Sequence, residues 1–194
     1  MPIAWARASA LALLLLLAQA ASDDTHIALR LDTAGLGQGE YWRLLSAHFV
    51  HLSWPHALLN AAGVLVCCAL APDVFDRRAV WRVAGLALGV GLCLWLFSPA
   101  ALPYVGLSGV LYGLFVLGLA PQALRGSLHG ALALLGITAW MLWQWAAGPA
   151  PSEERLIGGS IVGVAHLYGY GLAAAALLVM AGTKRWRAAT HRRT

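Results

Sequence analysis

The chain has 194 residues, 60% of them hydrophobic and only 11% charged, with a formal net charge of +5. A chain this apolar is not a soluble globular domain. Long apolar stretches recur from end to end, so the predicted fold class is all-α, a polytopic membrane bundle. The positive charge would suit a nucleic-acid binder, but its distribution follows membrane topology. The expected surroundings are a lipid bilayer, with no nucleic-acid partner.

Six spans are predicted, at roughly 3–21, 54–72, 80–97, 106–121, 128–148 and 157–181. Each is long enough, or nearly so, to cross about 30 Å of hydrocarbon. With the N-terminus inside, the inner segments hold Arg7, Arg77, Arg78, Arg82, Arg125, Lys184, Arg185, Arg187, Arg192 and Arg193. The outer segments hold only Arg30, Arg43 and Arg155, while Asp23, Asp24, Asp32, Glu40, Glu153 and Glu154 also lie outside. This asymmetry places both termini in the cytoplasm and makes the basic tail, 184–194, an orientation anchor. One membrane domain, 1–194, takes up the length, and no separate soluble domain is expected.

In chain order, the first span has an alternative reading. Arg7, the run ALALLLLLAQA and the small residues around Ala20 also fit a secretory signal peptide. Retention as a helix is the favoured reading, because five later spans would otherwise lack a partner. The segment from about Ser22 to Ser53 is the longest loop and lies outside. It mixes glycine, histidine and aromatics, and Tyr41, Trp42 and Trp54 suit the membrane interface. Pro55 suits the first turn of the second span. On that span His56 and Asn60 lie at i and i+4 and share a face; both can donate hydrogen bonds to a developing oxyanion. Cys67, Cys68 and Cys93 fall within spans and form neither a disulfide framework nor a zinc spacing; they read as small packing residues. Asp73 and Asp76 mark the inner turn before the third span.

The fourth span opens with Gly106-Leu107-Ser108-Gly109 and ends at Pro121. A helix start offers unpaired N–H groups and a positive dipole end, so a hydroxyl nucleophile there has an oxyanion site beside its own N–H. This span is short, which sets its start below the outer surface in a water-filled recess. His166 lies about ten residues into the sixth span, roughly 15 Å along a helix. Histidine is the usual general base for a serine hydroxyl. No span carries an Asp or Glu to orient it, so the expectation is a Ser108–His166 dyad. Tyr112, one turn after Ser108, is placed to pack on the imidazole. Gly109 with Gly113, and Gly159 with Gly163, have the GxxxG spacing that lets helices approach closely; Gly169 and Gly171 follow His166. His48 and His51 lie in the outer loop near His56, but no metal or cofactor is expected.

Each of these features has a blander reading. A serine in a membrane helix usually bonds its own backbone, and GxxxG by itself reports only packing. Ionisable groups at membrane depth are nevertheless costly and mark function by default. A small transporter using His166 as a proton relay would need an acidic partner in the spans, and none is present.

Taken together, these residues resemble the rhomboid intramembrane serine proteases, across nearly the whole chain. The resemblance implies a six-helix core with the G-x-S-G motif of Gly106, Ser108 and Gly109 opening the fourth helix. It implies catalysis by Ser108 and His166, with Gly169 three residues after the histidine. His56 and Asn60 form the H-x-x-x-N that serves the oxyanion, Tyr112 is the aromatic after the nucleophile, and Trp42-Arg43 is the pair in the first outer loop. The chain departs from the family at the inner end of the second helix, where it reads CCALAPDVFD. The compact form and the stretch HLSWPHALLN are similar to the rhombosortase subgroup. That likeness implies a bacterial inner-membrane enzyme whose site opens toward the periplasm. It would cleave C-terminal sorting helices that carry a Gly-Gly motif on exported proteins. The competing expectation is a non-catalytic rhomboid-like protein that binds membrane helices.

Overall fold

A computed structural model describes the backbone of residues 1–190 and the side chains of residues 1–183. The side chains of the basic tail from Lys184 lie outside the described residues. The architecture is all-α: among the described residues there is no β-strand, only an isolated antiparallel bridge between Leu31 and Tyr104. The first helix, α1, is Pro2–Gln19, with proline at its start where no helical N–H is required. Three short helices follow in the outer segment: α2 Asp23–Leu29, α3 Thr33–Gly37 and α4 Arg43–Ser46. Then come α5 Trp54–Leu70, α6 Ala79–Phe97, α7 Ser108–Leu124, α8 Leu128–Ala147, the short α9 Pro151–Ile157, and α10 Gly163–Thr190. Helices α1, α6, α8 and α10 are long and apolar enough to cross a membrane; α5 and α7 are equally apolar and shorter.

The segment expected as one partly interfacial loop, 22–53, therefore contains three helices, and their caps are local. Ser22 accepts the Thr25 N–H, and Asp32 accepts the Gly35 N–H at 2.8 Å. Arg43 ties them together. Its guanidinium donates to the Ile27 carbonyl at 2.7 Å, the Arg30 carbonyl at 2.8 Å and Glu40 at 2.6 Å, and pairs with Asp32 at 3.4 Å. Its side chain is 9% exposed. Gly35 is required beneath it, since a Cβ there would strike the Arg43 side chain. Partial burial pushes the Asp32 carboxyl up, but the Gly35 N–H, Arg30 and Arg43 outweigh this and hold it below its ordinary value of 3.8.

Two expected boundaries are corrected. The fourth span was placed to end at Pro121, but α7 continues to Leu124. Proline near a helix end removes only one internal N–H, and the last turn closes when Arg125 N–H donates to the carbonyls of Pro121 and Gln122. The sixth span was placed from 157, but α10 begins at Gly163. Gly158, in the left-handed region at φ +84°, ends α9, and the Glu154 carboxylate takes the Ile161 N–H at 3.1 Å, holding the link outside the helix. His166 therefore lies in the first turn of α10, not ten residues in.

Helix α7 is the centre of the bundle, packing on α5, α6, α8 and α10. Its buried residues run nearly all round it, from Gly109 and Val110 to Gly118 and Leu119, as expected of a helix enclosed by others. Its closest contact is with α10. A Cβ on Gly109 would lie 2.8 Å from the Ala165 carbonyl oxygen, and one on Gly113 would lie 2.9 Å from that of Gly169. A Cβ on Gly169 would overlap the Gly109 carbonyl. Gly159 precedes α10, and a Cβ on Gly163 or Gly171 would meet nothing within 4 Å. The anticipated Gly159–Gly163 pairing thus takes no part in this contact, which rests on Gly109, Gly113 and Gly169.

Two outcomes follow. Gly169→Ala forces the two backbones apart and costs about 1–3 kcal/mol by overpacking, whereas Gly171→Ala, with open space around it, is neutral to stabilising by up to about 1 kcal/mol; thermal unfolding in detergent micelles measures both, and equal behaviour would refute the packing assignment. In the outer segment, Arg43→Ala leaves buried acceptors unpaired and costs about 3 kcal/mol. Because the Asp32 carboxyl is depressed, its contribution is present above pH 3.8 and lost as the pH falls below that value. Hydrogen exchange at residues 23–46 should stay slow from neutral pH down to about this value and quicken below it. The Arg43→Ala protein should exchange fast throughout.

Candidate active site

Ser108 is the first residue of α7, and its placement depends on the segment before it. Leu31 and Tyr104 exchange backbone hydrogen bonds at 3.0 and 2.9 Å. Gly106 N–H donates to the Ala47 carbonyl at 2.9 Å, and the Tyr104 hydroxyl donates to the Gly106 carbonyl at 2.7 Å. The outer segment organised by Arg43 thus holds the approach to Ser108 on one side. Gly106 sits at φ +111°, and a Cβ there would lie 2.9 Å from His56 Nε2. Both the backbone angle and the close approach demand glycine at this position.

His166 Nε2 lies 2.8 Å from Ser108 Oγ. The Tyr112 and His166 rings lie 4.6 Å apart, tilted by 32°. Among the described residues no carboxylate hydrogen-bonds to His166. Ala165, next to the histidine, and Gly169, one turn further, are among the residues that touch α7, so the glycine contact bears directly on the Ser–His distance.

His56 and Asn60 face the same space from α5. Ser53 caps this helix: its Oγ accepts the His56 N–H at 3.3 Å and donates to the Ile157 carbonyl of α9 at 2.7 Å. Leu52 N–H donates to His56 Nδ1 at 3.4 Å. A neutral imidazole that accepts at Nδ1 carries its proton on Nε2, the nitrogen near Gly106. Asn60 donates one amide N–H to the His56 carbonyl at 3.0 Å, leaving its other groups for the cavity. His51 stands edge-on to the His56 ring, 4.9 Å away, and neither of its nitrogens has a hydrogen-bond partner. Among the described residues no group of three or more His, Cys, Asp or Glu is placed to hold a metal ion.

These groups line a cavity of about 470 Å³. His56, Asn60, Ser108, Tyr112 and His166 are in its lining, together with Trp140 and Gln144 of α8. Gln144 donates to Glu153 of α9 at 2.9 Å, so α9 is fastened to both α5 and α8 beside the cavity. The structure brings together every residue picked as catalytic or oxyanion-binding, along with Tyr112 and Gly106. Gly109 and Gly169 support the site from behind through helix contact.

Several contributors escaped the sequence reading. Ala47 acts through its backbone carbonyl, while the Tyr104 hydroxyl and Ser53 Oγ bond backbone groups of other segments, partners that leave no residue pattern. Tyr104 has one usable signal: a tyrosine in an apolar segment directly before a G-x-S-G must place its hydroxyl somewhere polar. Gln144 and Glu153 are the other such case, polar residues flanking a Gly-Pro turn.

Comparison with known proteins bears on this arrangement. Residues 38–182 match the family model described as "Rhomboid domain". The chain is also similar to the "Putative rhomboid protease YdcA" of Bacillus subtilis (strain 168), with 29% identity over 97 residues, covering 50% of this chain and 49% of that protein. The chain thus spans about half the length of the curated relative it matches.

Proposed function

Because the chain belongs to the rhomboid family, we propose that it is an intramembrane serine endopeptidase with Ser108 as nucleophile and His166 as its base. The observation that carries this reading is the 2.8 Å separation of Ser108 Oγ and His166 Nε2 at the head of two touching helices. The Ser108 hydroxyl donates to His166 and gives up its proton as the oxygen attacks a substrate carbonyl. The tetrahedral oxyanion forms beside the Ser108 N–H, with His56 Nε2–H and Asn60 Nδ2–H as further donors. His166 passes its proton to the departing amine. Water, or another nucleophile, then opens the acyl-enzyme with His166 again as base. Tyr112 keeps the imidazole plane fixed in the absence of a carboxylate. No cofactor or metal is required.

Residues 1–194 act as one membrane domain in this reading. The arginines near one end of the bundle support a cytoplasmic location for both termini and an opening of the site toward the periplasm of a bacterial inner membrane. The substrate is then a membrane helix with its bulk outside. Its carbonyls must be freed from helical hydrogen bonds before attack, and glycine lowers that cost by about 1 kcal/mol per residue relative to alanine. The likeness of HLSWPHALLN to the rhombosortases supports C-terminal Gly-Gly sorting signals as the substrate class.

The deciding experiment co-expresses the protein with an exported protein bearing such a signal. Ser108→Ala and His166→Ala should each abolish cleavage, the double variant losing no more than either alone. Asn60→Ala and His56→Ala should each slow it by about 10²–10³. A fluorophosphonate should label Ser108 in the wild type, and full cleavage by Ser108→Ala would overturn the assignment. A second substrate, with Ala-Leu in place of Gly-Gly, should insert normally and be processed more slowly. Equal processing of the two would remove the sorting-signal reading and leave the protease reading standing.

A further inference from the structure

A second cavity, of about 420 Å³, lies far from the site, between α1 and α6. On α1 it is lined by Arg7, Ala10, Leu11 and Leu14, residues spaced i, i+3, i+4 and i+7 on one helix face. Ala79, Val83 and Ala84 of α6 form the opposite wall. Leu45 and Phe49, from the segment around α4, also line it, and α4 packs on α6. Arg7, Asp76 and Arg77 stand at the other end. The groove is thus apolar along its length and charged only at the end near the α5–α6 turn.

The charges there are not balanced. Asp76 is already occupied: Arg82 donates to both its oxygens, at 2.6 and 3.1 Å, and Arg78 N–H donates at 2.6 Å. Arg7 donates to the Phe75 carbonyl at 3.2 Å, and neither Arg7 nor Arg77 pairs with a carboxylate among the described residues. Two guanidinium groups therefore stand at the mouth of an apolar groove without a counter-charge.

The length of the groove selects its occupant. From Arg7 to Leu14 the helix rises about 10 Å, well short of the roughly 30 Å of a bilayer core. A membrane-spanning helix would run on well past this length. An acyl chain suits it, because it ends in mid-bilayer. We propose that this groove binds one anionic phospholipid, its phosphate diester between Arg7 and Arg77 and an acyl chain between α1 and α6 beneath Leu45 and Phe49. The small side chains of Ala10, Ala79 and Ala84 leave the room that the chain fills.

Native mass spectrometry and thermal unfolding of the full chain in a neutral-headgroup detergent test this, with no dependence on protease activity. Dioleoyl phosphatidylglycerol should bind saturably and raise the unfolding temperature more than dioleoyl phosphatidylcholine. Arg77→Gln, which disturbs no described hydrogen bond, should weaken phosphatidylglycerol about five-fold and leave phosphatidylcholine unchanged, the effect of about 1 kcal/mol per basic residue at a membrane surface. Ala84→Phe should block the groove and reduce binding of both lipids. Glycerol 3-phosphate, which carries the anion without the chain, should produce no shift. The proposal is overturned if the two lipids bind alike, if Arg77→Gln keeps the preference, if Ala84→Phe binds phosphatidylglycerol as the wild type does, or if glycerol 3-phosphate reproduces the stabilisation.

Discussion

The site depends on two helix backbones touching. Ser108 and His166 are 58 positions apart and sit on different helices, and a 2.8 Å hydrogen bond between them needs α7 and α10 closer than ordinary side chains allow. Gly109, Gly113 and Gly169 remove the side chains at the contact, leaving carbonyl oxygens against α-carbons. In a bilayer there is little hydrophobic drive to press helices together, so van der Waals contact of this kind is the main attraction on offer. The same glycines therefore hold the bundle together and set the reach from His166 to Ser108.

At the outer end the constraint is different in kind. Irregular backbone at membrane depth survives only where its polar groups are satisfied within the protein. The segment 22–53 meets this requirement through Arg43, whose donors take up two backbone carbonyls and two carboxylates. The order is transmitted onward: Leu31 pairs with Tyr104, Tyr104 bonds Gly106, and Gly106 rests on His56. Ser108 is thus held on one side by helix packing and on another by a hydrogen-bonded loop.

Local patterns in the sequence carried much of this. Apolar length marked the helices, and Ser108 with Tyr112, and His56 with Asn60, are single-turn pairs whose shared face follows from helical spacing alone. Where the structure departs from hydropathy, a hydrogen bond or a helix contact decides. Gly158-Gly159-Ser160 breaks the apolar run between Leu156 and α10, and there Glu154 captures the Ile161 N–H and the helix starts only at Gly163. Gly159 and Gly163 imitate a packing motif, yet only the three-dimensional arrangement shows that nothing lies against Gly163. The three helices of residues 22–53 are stabilised by Arg43, and a hub of backbone carbonyls has no signature in residue identities.

The order of the helices has a consequence of its own. Ser108 and His166 occupy the first turns of α7 and α10, and one long apolar helix, α8, separates them. A single crossing in between makes α7 and α10 run the same way, so both first turns emerge at one membrane face. The shared depth of Ser108 and His166 is therefore a matter of parity. Helices gained or lost before α7 or after α10 leave the two residues level, even if the whole bundle inverts. One crossing added or removed between them would send the histidine to the opposite face, about a bilayer's thickness away. The Ser108–His166 hydrogen bond thus fixes the crossing count of the chain between the two residues, and leaves the ends of the architecture free to vary.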